Sequence, residues 1–280
     1  MILIADSGAT KTDWYAGNDP DHGQLIETNG INPFHLKEEE VFHIIREQLV
    51  AQLANADTCT AVYFYGAGCI PEKTDSIHRS LTHFFPRAEI HIHTDLLGAA
   101  RAVCGKHPGI ACILGTGSNS CLYDGTHITD SISPLGYILG DEGSGAYIGK
   151  RFIADCLKRQ LPPYIAEDFC REYKLTPADI LDRVYRQPKA NLFLSSITPY
   201  IYKHKEIPEI QALLIDCFME FFHRNVLHYA QNLPVSFVGS IACFFEKELQ
   251  AAAARSGLHI AQTIKQPIHN LIAYHWDQTL

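Results

Sequence analysis

Ile2 to Ala5 is a short apolar run, Asp6 to Asp13 is polar, and Trp14-Tyr15-Ala16 is apolar again. This pattern predicts a buried strand, a turn rich in hydroxyls and carboxylates, and a returning strand. It recurs at mid-chain, where Ile110 to Leu114 is followed by Gly115-Thr116-Gly117-Ser118-Asn119-Ser120 and then by Cys121-Leu122-Tyr123. Ser7 falls on Gly115 and Tyr15 on Tyr123, an offset of 108 residues. A duplicated strand-turn-strand opening each half predicts two related domains facing each other across a cleft, with the two loops meeting there.

Between the hairpins, Val41 to Leu53 has helical apolar spacing and Ala61 to Tyr65 reads as a buried strand. Ala88 to Thr94 alternates, with Ile90 and Ile92 on one face and His91 and His93 on the other, and leads into Asp95. Leu96 to Cys104 then reads as a helix, so Asp95 sits at a strand-to-helix junction, where it can cap that helix, stand at the ligand end of the sheet with an oxygen free to accept a proton, or do both. In the second half, 147–157 and 217–231 read as helices, Val235 to Val238 as a strand, and 241–254 as a helix ending before Gly257. The proline-rich stretch from Leu161 to Pro208 reads as helices joined by turns. Strands alternating with helices predict an α/β architecture with mixed sheets. A length of 280 residues suits two domains. We place them at 1–105 and 106–265, with a tight boundary near Cys104 to Gly109 and with 266–280 packing back on the first.

Composition narrows the function classes. Hydrophobic residues make up 46 % and charged residues 19 %, enough to build cores and too apolar for disorder. A net charge of -8 repels a phosphate backbone or an anionic membrane, which argues against nucleic-acid and membrane partners. A nucleotide is still compatible, because local N–H groups and a metal ion hold phosphates inside acidic proteins. Nine cysteines with no C-x-x-C pair argue against a disulfide framework or zinc knuckle, and their apolar neighbours suit a reducing compartment. With no signal-like segment and no long apolar run, the expected location is the cytoplasm.

Three loops carry candidate chemistry. Asp6-Ser7-Gly8-Ala9-Thr10-Lys11-Thr12-Asp13 combines permissive backbone, hydroxyls, a lysine and two carboxylates, the parts needed to cradle phosphates and hold magnesium. It lacks the glycine spacing of a Walker A loop. A polar β-turn accounts for the loop alone, but a second Gly-rich loop, Gly115 to Ser120, at the matching point of the other half favours a ligand with several phosphates. Gly140-Asp141-Glu142-Gly143-Ser144-Gly145 places two acids and three glycines before a helix, which exposes N–H groups to a ligand or simply suits the helix dipole. Gly239-Ser240, after a strand, can take a flat ring against its backbone or serve close helix–strand packing. His91 and His93 have no evident third partner, and no H-E-x-x-H or G-x-S-x-G motif is present.

The ordered set Asp6-Ser7-Gly8-Ala9-Thr10-Lys11-Thr12, Thr94-Asp95, Gly115-Thr116-Gly117-Ser118-Asn119, Gly140-Asp141-Glu142-Gly143-Ser144 and Gly239-Ser240-Ile241-Ala242 resembles the N-acetylglucosamine kinases. These group with the benzoyl-CoA reductase activator-type ATPases in the actin, hexokinase and heat-shock chaperone superfamily. The resemblance implies two ribonuclease H-like domains that bind ATP, magnesium and an amino sugar, with a homodimer allowed. It implies that Ser7, Gly8, Thr10 and Lys11 form the first phosphate loop, Thr116 and Gly117 the second, and Gly239 with Ser240 the adenosine turn. Asp6 would hold magnesium through water, and Asp95 would be the catalytic base toward the sugar 6-hydroxyl. Asn32, Ser118, Asn119, Gly136, Tyr137 and Asp141 would complete the sugar contacts beside Asp95. The first loop departs from the family's run of glycines, and Gly239-Ser240 stands where relatives often carry two. An activator-type ATPase coupled to electron transfer, or a non-catalytic sugar or nucleotide sensor, remain the alternative functions.

Overall fold

The computed structural model describes residues 1–8, 10–229 and 232–276. Ala9 of the first loop, the last two positions of the expected 217–231 helix and the final four of the 266–280 segment lie outside the described residues. The chain divides into two compact units. Unit 1 holds Met1–Pro108, Tyr123–Ile128 and the segment from Gln266, and unit 2 holds Gly109–Leu122 and Thr129–Lys265.

Unit 1 runs through β1 (Ile2–Ser7), β2 (Lys11–Gly17), β3 (Gln24–Asn29), α1 (Glu38–Ile44), β4 (Ala61–Gly66), α2 (Asp75–Phe84), β5 (Glu89–Thr94) and α3 (Asp95–Cys104). Its five strands lie in the order β3-β2-β1-β4-β5. The β1–β2–β3 meander is antiparallel, while β4 and β5 join parallel to β1. Alternation along each strand sends Leu3, Ala5, Trp14, Val62 and Phe64 into one core with α1 and α2. Trp14 is fully buried there, and its indole N–H donates to Thr28 Oγ1 at 3.0 Å, so the large ring costs no unpaired donor. The helix expected over 41–53 continues beyond α1 as a π-type turn, Ile45–Leu49, and a 3₁₀ turn, Val50–Gln52.

Unit 2 contains β6 (Gly109–Leu114), β7 (Ser118–Tyr123), β8 (Ile128–Asp130), α4 (Gly136–Leu139), α5 (Gly145–Leu157), α6 (Pro163–Tyr173), α7 (Pro177–Tyr185), α8 (Ala190–Ser195), α9 (Thr198–Lys203), α10 (Pro208–Arg224), β9 (Val235–Val238), α11 (Ser240–Phe244), α12 (Glu246–Arg255) and β10 (Ile260–Ile264). The chain then returns to unit 1 with α13 (Ile268–His275). The second sheet has the order β10-β9-β6-β7-β8, with β6, β9 and β10 parallel. Its core is dense in aromatics: Phe218, Phe221 and Phe222 of α10 and Phe237 of β9 are all fully buried. The helix expected over 241–254 is divided at Phe245 into α11 and α12. Among the described residues, no helix is long and apolar enough to cross a membrane.

Candidate active site

In unit 1 the parallel register brings the candidate residues to one end of the sheet. Ser7 lies opposite Gly66, and Gly66 opposite Thr94, so Asp6 and Asp95 emerge at the C-terminal ends of strands separated only by β4. Open α/β sheets place ligands at that end. The Ser7 hydroxyl is fully buried and shares a 2.7 Å hydrogen bond with Thr12 Oγ1. It also donates to the Ile31 carbonyl and accepts from the Ile31 N–H, each at 3.0 Å. Ser7 is therefore a latch that fixes the segment carrying Asn32. Asn32 Oδ1 accepts from the Phe34 N–H at 2.9 Å, and a side chain at Gly68 would collide with that oxygen at 2.7 Å. The turn after β4 thus packs onto Asn32.

Thr94, not Asp95, caps α3: its hydroxyl accepts from the Leu97 N–H at 3.2 Å, and Asp95 is the first helical residue. The capping reading of Asp95 is thereby corrected: the strand ends at Thr94 as expected, but Thr94 itself has the extended backbone of a cap and the helix begins one residue earlier than Leu96. Asp95 is half-buried and accepts from the Leu96 N–H at 2.9 Å. Burial raises its affinity for a proton, and that N–H opposes the shift. Asp6 is pushed up to about 7, mainly by burial and then by the negative fields of Asp13 and Asp95, with Lys11 opposing. Lys11 is already committed, its Nζ lying 2.9 Å from Asp13 and 3.2 Å from Glu27. It lines a groove with Asp13, Trp14, Glu27, Gln266 and His269. Among the described residues Asp6 has no ion-pair partner within 4 Å, and Lys11 acts on it only from a distance; a buried carboxyl so placed fits a divalent cation held by oxygen ligands, so Asp6 suits magnesium. Gly8 is open to solvent, with its N–H bound to the Lys11 carbonyl at 2.9 Å, and exposed Thr10 accepts from the Gly30 N–H at 2.9 Å.

Unit 2 gathers the other candidates at the corresponding end of its own sheet. The turn from Gly115 to Gly117 closes with a Gly115 N–H to Gly117 carbonyl bond of 2.9 Å. The Gly145 and Ala146 N–H groups donate to the Gly115 and Thr116 carbonyls at 2.8 and 3.1 Å. The first N–H groups of α5 thus position the loop, while Ser144 caps the helix by accepting from the Tyr147 N–H. Gly117 is needed because a side chain there would meet the Asp141 carboxylate at 3.1 Å. Asp141, at a positive φ of 55°, accepts from the Ser118 N–H at 3.4 Å. Burial raises its affinity for a proton, Ser118 lowers it, Glu142 raises it and Lys150 lowers it. Asn119 is half-buried with Oδ1 accepting from the Ser120 N–H at 2.9 Å. Gly136 and Tyr137 open the four-residue α4. Gly239, at a φ of 127°, has no room for a Cβ, which would stand 2.2 Å from the Leu114 carbonyl. The Gly239-Ser240 turn is therefore pressed onto the end of β6, beside the Gly115 loop.

His91 stacks on Tyr63 and His93 tilts against Tyr65, while Tyr63 in turn stacks on His275 of α13. Burial lowers His93 to about 4 and His275 to about 3, so these rings pack as neutral aromatics. Asp168, Glu172 and His204 lie close enough to share a cation, but Arg171, Lys203 and Tyr200 already occupy the two carboxylates. The capping role of Thr94 and the role of Lys150 were not assigned from the sequence. A threonine three residues before a helical N–H is a cap signal, and a lysine with buried Ala146 four residues before it and buried Ile153 three after it is a polar residue on an apolar face.

The chain is similar over 99 % of its length to a solved structure from Porphyromonas gingivalis, provisionally named an N-acetylglucosamine kinase, with 44 % identity, 99 % of that chain covered and a TM-score of 0.95. The chain belongs to this N-acetylglucosamine kinase-like family. A second protein of that provisional name, from Chromobacterium violaceum, aligns over 98 % of this chain and 97 % of its own with 19 % identity and a TM-score of 0.65. The ROK hexokinase of Thermus thermophilus aligns over 98 % and 96 % with 13 % identity and a TM-score of 0.56. At those identities the last two bear on fold alone, and the fold is that of the actin-like ATPases. No protein-family model and no curated protein matches the chain.

Proposed function

We propose that this protein is an ATP-dependent sugar kinase that transfers the γ-phosphoryl group to the 6-hydroxyl of an amino sugar, N-acetylglucosamine. The observation that carries the reading is Asp95: relieved of capping by Thr94, it stands half-buried at the ligand end of the unit 1 sheet with a raised affinity for a proton. A base with that property takes the hydroxyl proton as the sugar oxygen bonds to phosphorus and the bond to ADP breaks. Asn32, Ser118, Asn119, Gly136, Tyr137 and Asp141 bind the sugar. Gly8, Thr10, Lys11, Thr116 and Gly117 hold the phosphates, Ser7 fixes the first loop from beneath, and Gly239 with Ser240 backs the adenosine. Asp6 holds magnesium through water, and the ion, when bound, supplies charge neutralisation on the phosphates.

An electron-transfer ATPase needs accessible thiolates for its cluster. Cys59, Cys69, Cys112, Cys121, Cys156 and Cys217 are buried, and the half-buried Cys104, Cys170 and Cys243 stand on three different helices, α3, α6 and α11, with thiols that burial keeps protonated, which favours the kinase over that alternative. The test is ADP release from Mg-ATP across a panel of amino sugars and plain hexoses. Strong stimulation by N-acetylglucosamine supports the reading; hydrolysis indifferent to every sugar rejects it.

A further inference from the structure

Residues 131–140 of unit 2 form a segment that does not support itself. Helix α4 is only four residues long, far below the length at which a helix is stable alone. It is entered through Leu135 and Gly136, both at positive φ, and left through Asp141 at positive φ. Leu135, Ile138 and Leu139 are 62, 71 and 75 % exposed, so burial of these side chains does not hold it down. The segment is closed on itself by the Gly140 N–H to Gly136 and Asp141 N–H to Pro134 bonds, of 2.8 and 2.9 Å. Its attachments are few: the Ile132 N–H donates to Tyr229 Oη at 3.1 Å, and Tyr137 packs against the core.

Beside these and the packing of Ile132 on the core, a further tie is Lys150, on the α5 helix that follows Asp141 and Glu142. Its half-buried ammonium donates to the Tyr137 carbonyl at 2.7 Å and lies 5.1 Å from the centre of the Tyr147 ring. Burial lowers its affinity for a proton, and the fields of Glu142 and Asp141 offset that loss. A lysine ordered in this way gives up both hydration and rotamer freedom. Fixing the backbone of α4 beside Asp141 is the return the geometry offers.

We propose that Lys150 is a positioning residue: it latches the Gly136–Tyr137 backbone to the Asp141 end of unit 2 and so pre-forms the sugar side of the site. The proposal rests on the kinase reading for its link to sugar, and the test separates the two. Amide hydrogen exchange on the full chain is compared for wild type and Lys150→Met, followed at Gly140 and Asp141. The latch predicts exchange about tenfold or more faster at those amides in the variant, with β6 and β9 unchanged, as fits loss of a charge-assisted hydrogen bond. Exchange identical to wild type at Gly140 and Asp141 overturns it, whatever the activity.

In the kinase assay, Lys150→Met raises KM for the sugar about tenfold. It leaves kcat and KM for ATP within about threefold, and Lys150→Arg restores most of the loss by donating to the same carbonyl. A variant that loses kcat and both KM values together, or that Arg does not rescue, overturns the positioning role. If exchange responds while wild type phosphorylates no sugar, the latch stands and the kinase reading falls.

Discussion

The two duplicated loops share a strand-turn-strand frame and divide their chemistry. The unit 1 loop is built from side chains: Ser7 and Thr12 lock it from below, Lys11 is held by Asp13 and Glu27, and Asp6 remains without a cation of its own. The unit 2 loop is built from backbone: Gly117 approaches Asp141 closely, and the Gly115 and Thr116 carbonyls dock on the α5 N-terminus. In the kinase reading proposed above, one loop would offer charge for a metal ion and the other shape for an anionic group.

The largest expected effect falls on Asp95, the base proposed at the end of the unit 1 sheet. Asp95→Asn lowers kcat about 100-fold or more while leaving the fold intact, because Thr94 still caps α3. A loss under tenfold would remove Asp95 from the chemistry. Asp6→Asn comes next, with activity at limiting magnesium down about 10-fold to 100-fold, as for loss of a charge-assisted contact. Since Asp6 titrates near 7, magnesium affinity of the wild type rises with pH up to about 7 and then levels, and the variant loses that dependence.

Stability gives the same residue a second test with a definite sign. A carboxyl whose folded pKa is raised binds protons more tightly in the folded than in the unfolded chain, so it costs stability as pH rises from about 4 to 7. Asp6→Asn therefore melts higher than wild type at pH 8 in the presence of a chelator, and the difference closes near pH 4. Thermal melts at both pH values decide it. Ser7→Ala, which leaves the Ile31 backbone groups unpaired beneath the loop, costs about 1–3 kcal/mol in denaturant unfolding. Gly115→Ala has the smallest effect, under about 0.5 kcal/mol, since no atom lies within 4 Å of the added carbon. Gly117→Ala at the same loop crowds the Asp141 carboxylate and weakens sugar binding; equal effects of the two substitutions would contradict the backbone role assigned to this loop.

Much of the fold was legible because the apolar periods were clean. The strand at Val235–Val238 and the junction at Asp95 are read directly from runs such as Val-Ser-Phe-Val and from the alternation of Ile90 and Ile92 with His91 and His93. The edge strands were harder. Gln24–Asn29 and Ile128–Asp130 are short and largely exposed, so they carry little apolar signal. Phe245 interrupts the 241–254 pattern without a glycine or proline to mark the break. At the site, residue types pointed to Asp6, Asp95, Asn119 and Asp141, but hydrogen-bond partners could not be read from them. Only three-dimensional packing reveals that Ser7 faces Ile31, that Lys11 is neutralised and that the α5 N–H groups serve a loop.

The central claim is that this chain moves a phosphoryl group from ATP to an amino sugar. Its most direct test is stoichiometry: wild-type protein, Mg-ATP and N-acetylglucosamine, with ADP and the sugar 6-phosphate both quantified by phosphorus NMR. The account predicts that the two form in equal amounts and that Asp95→Asn suppresses them together. ADP accompanied by inorganic phosphate and no sugar phosphate would contradict it.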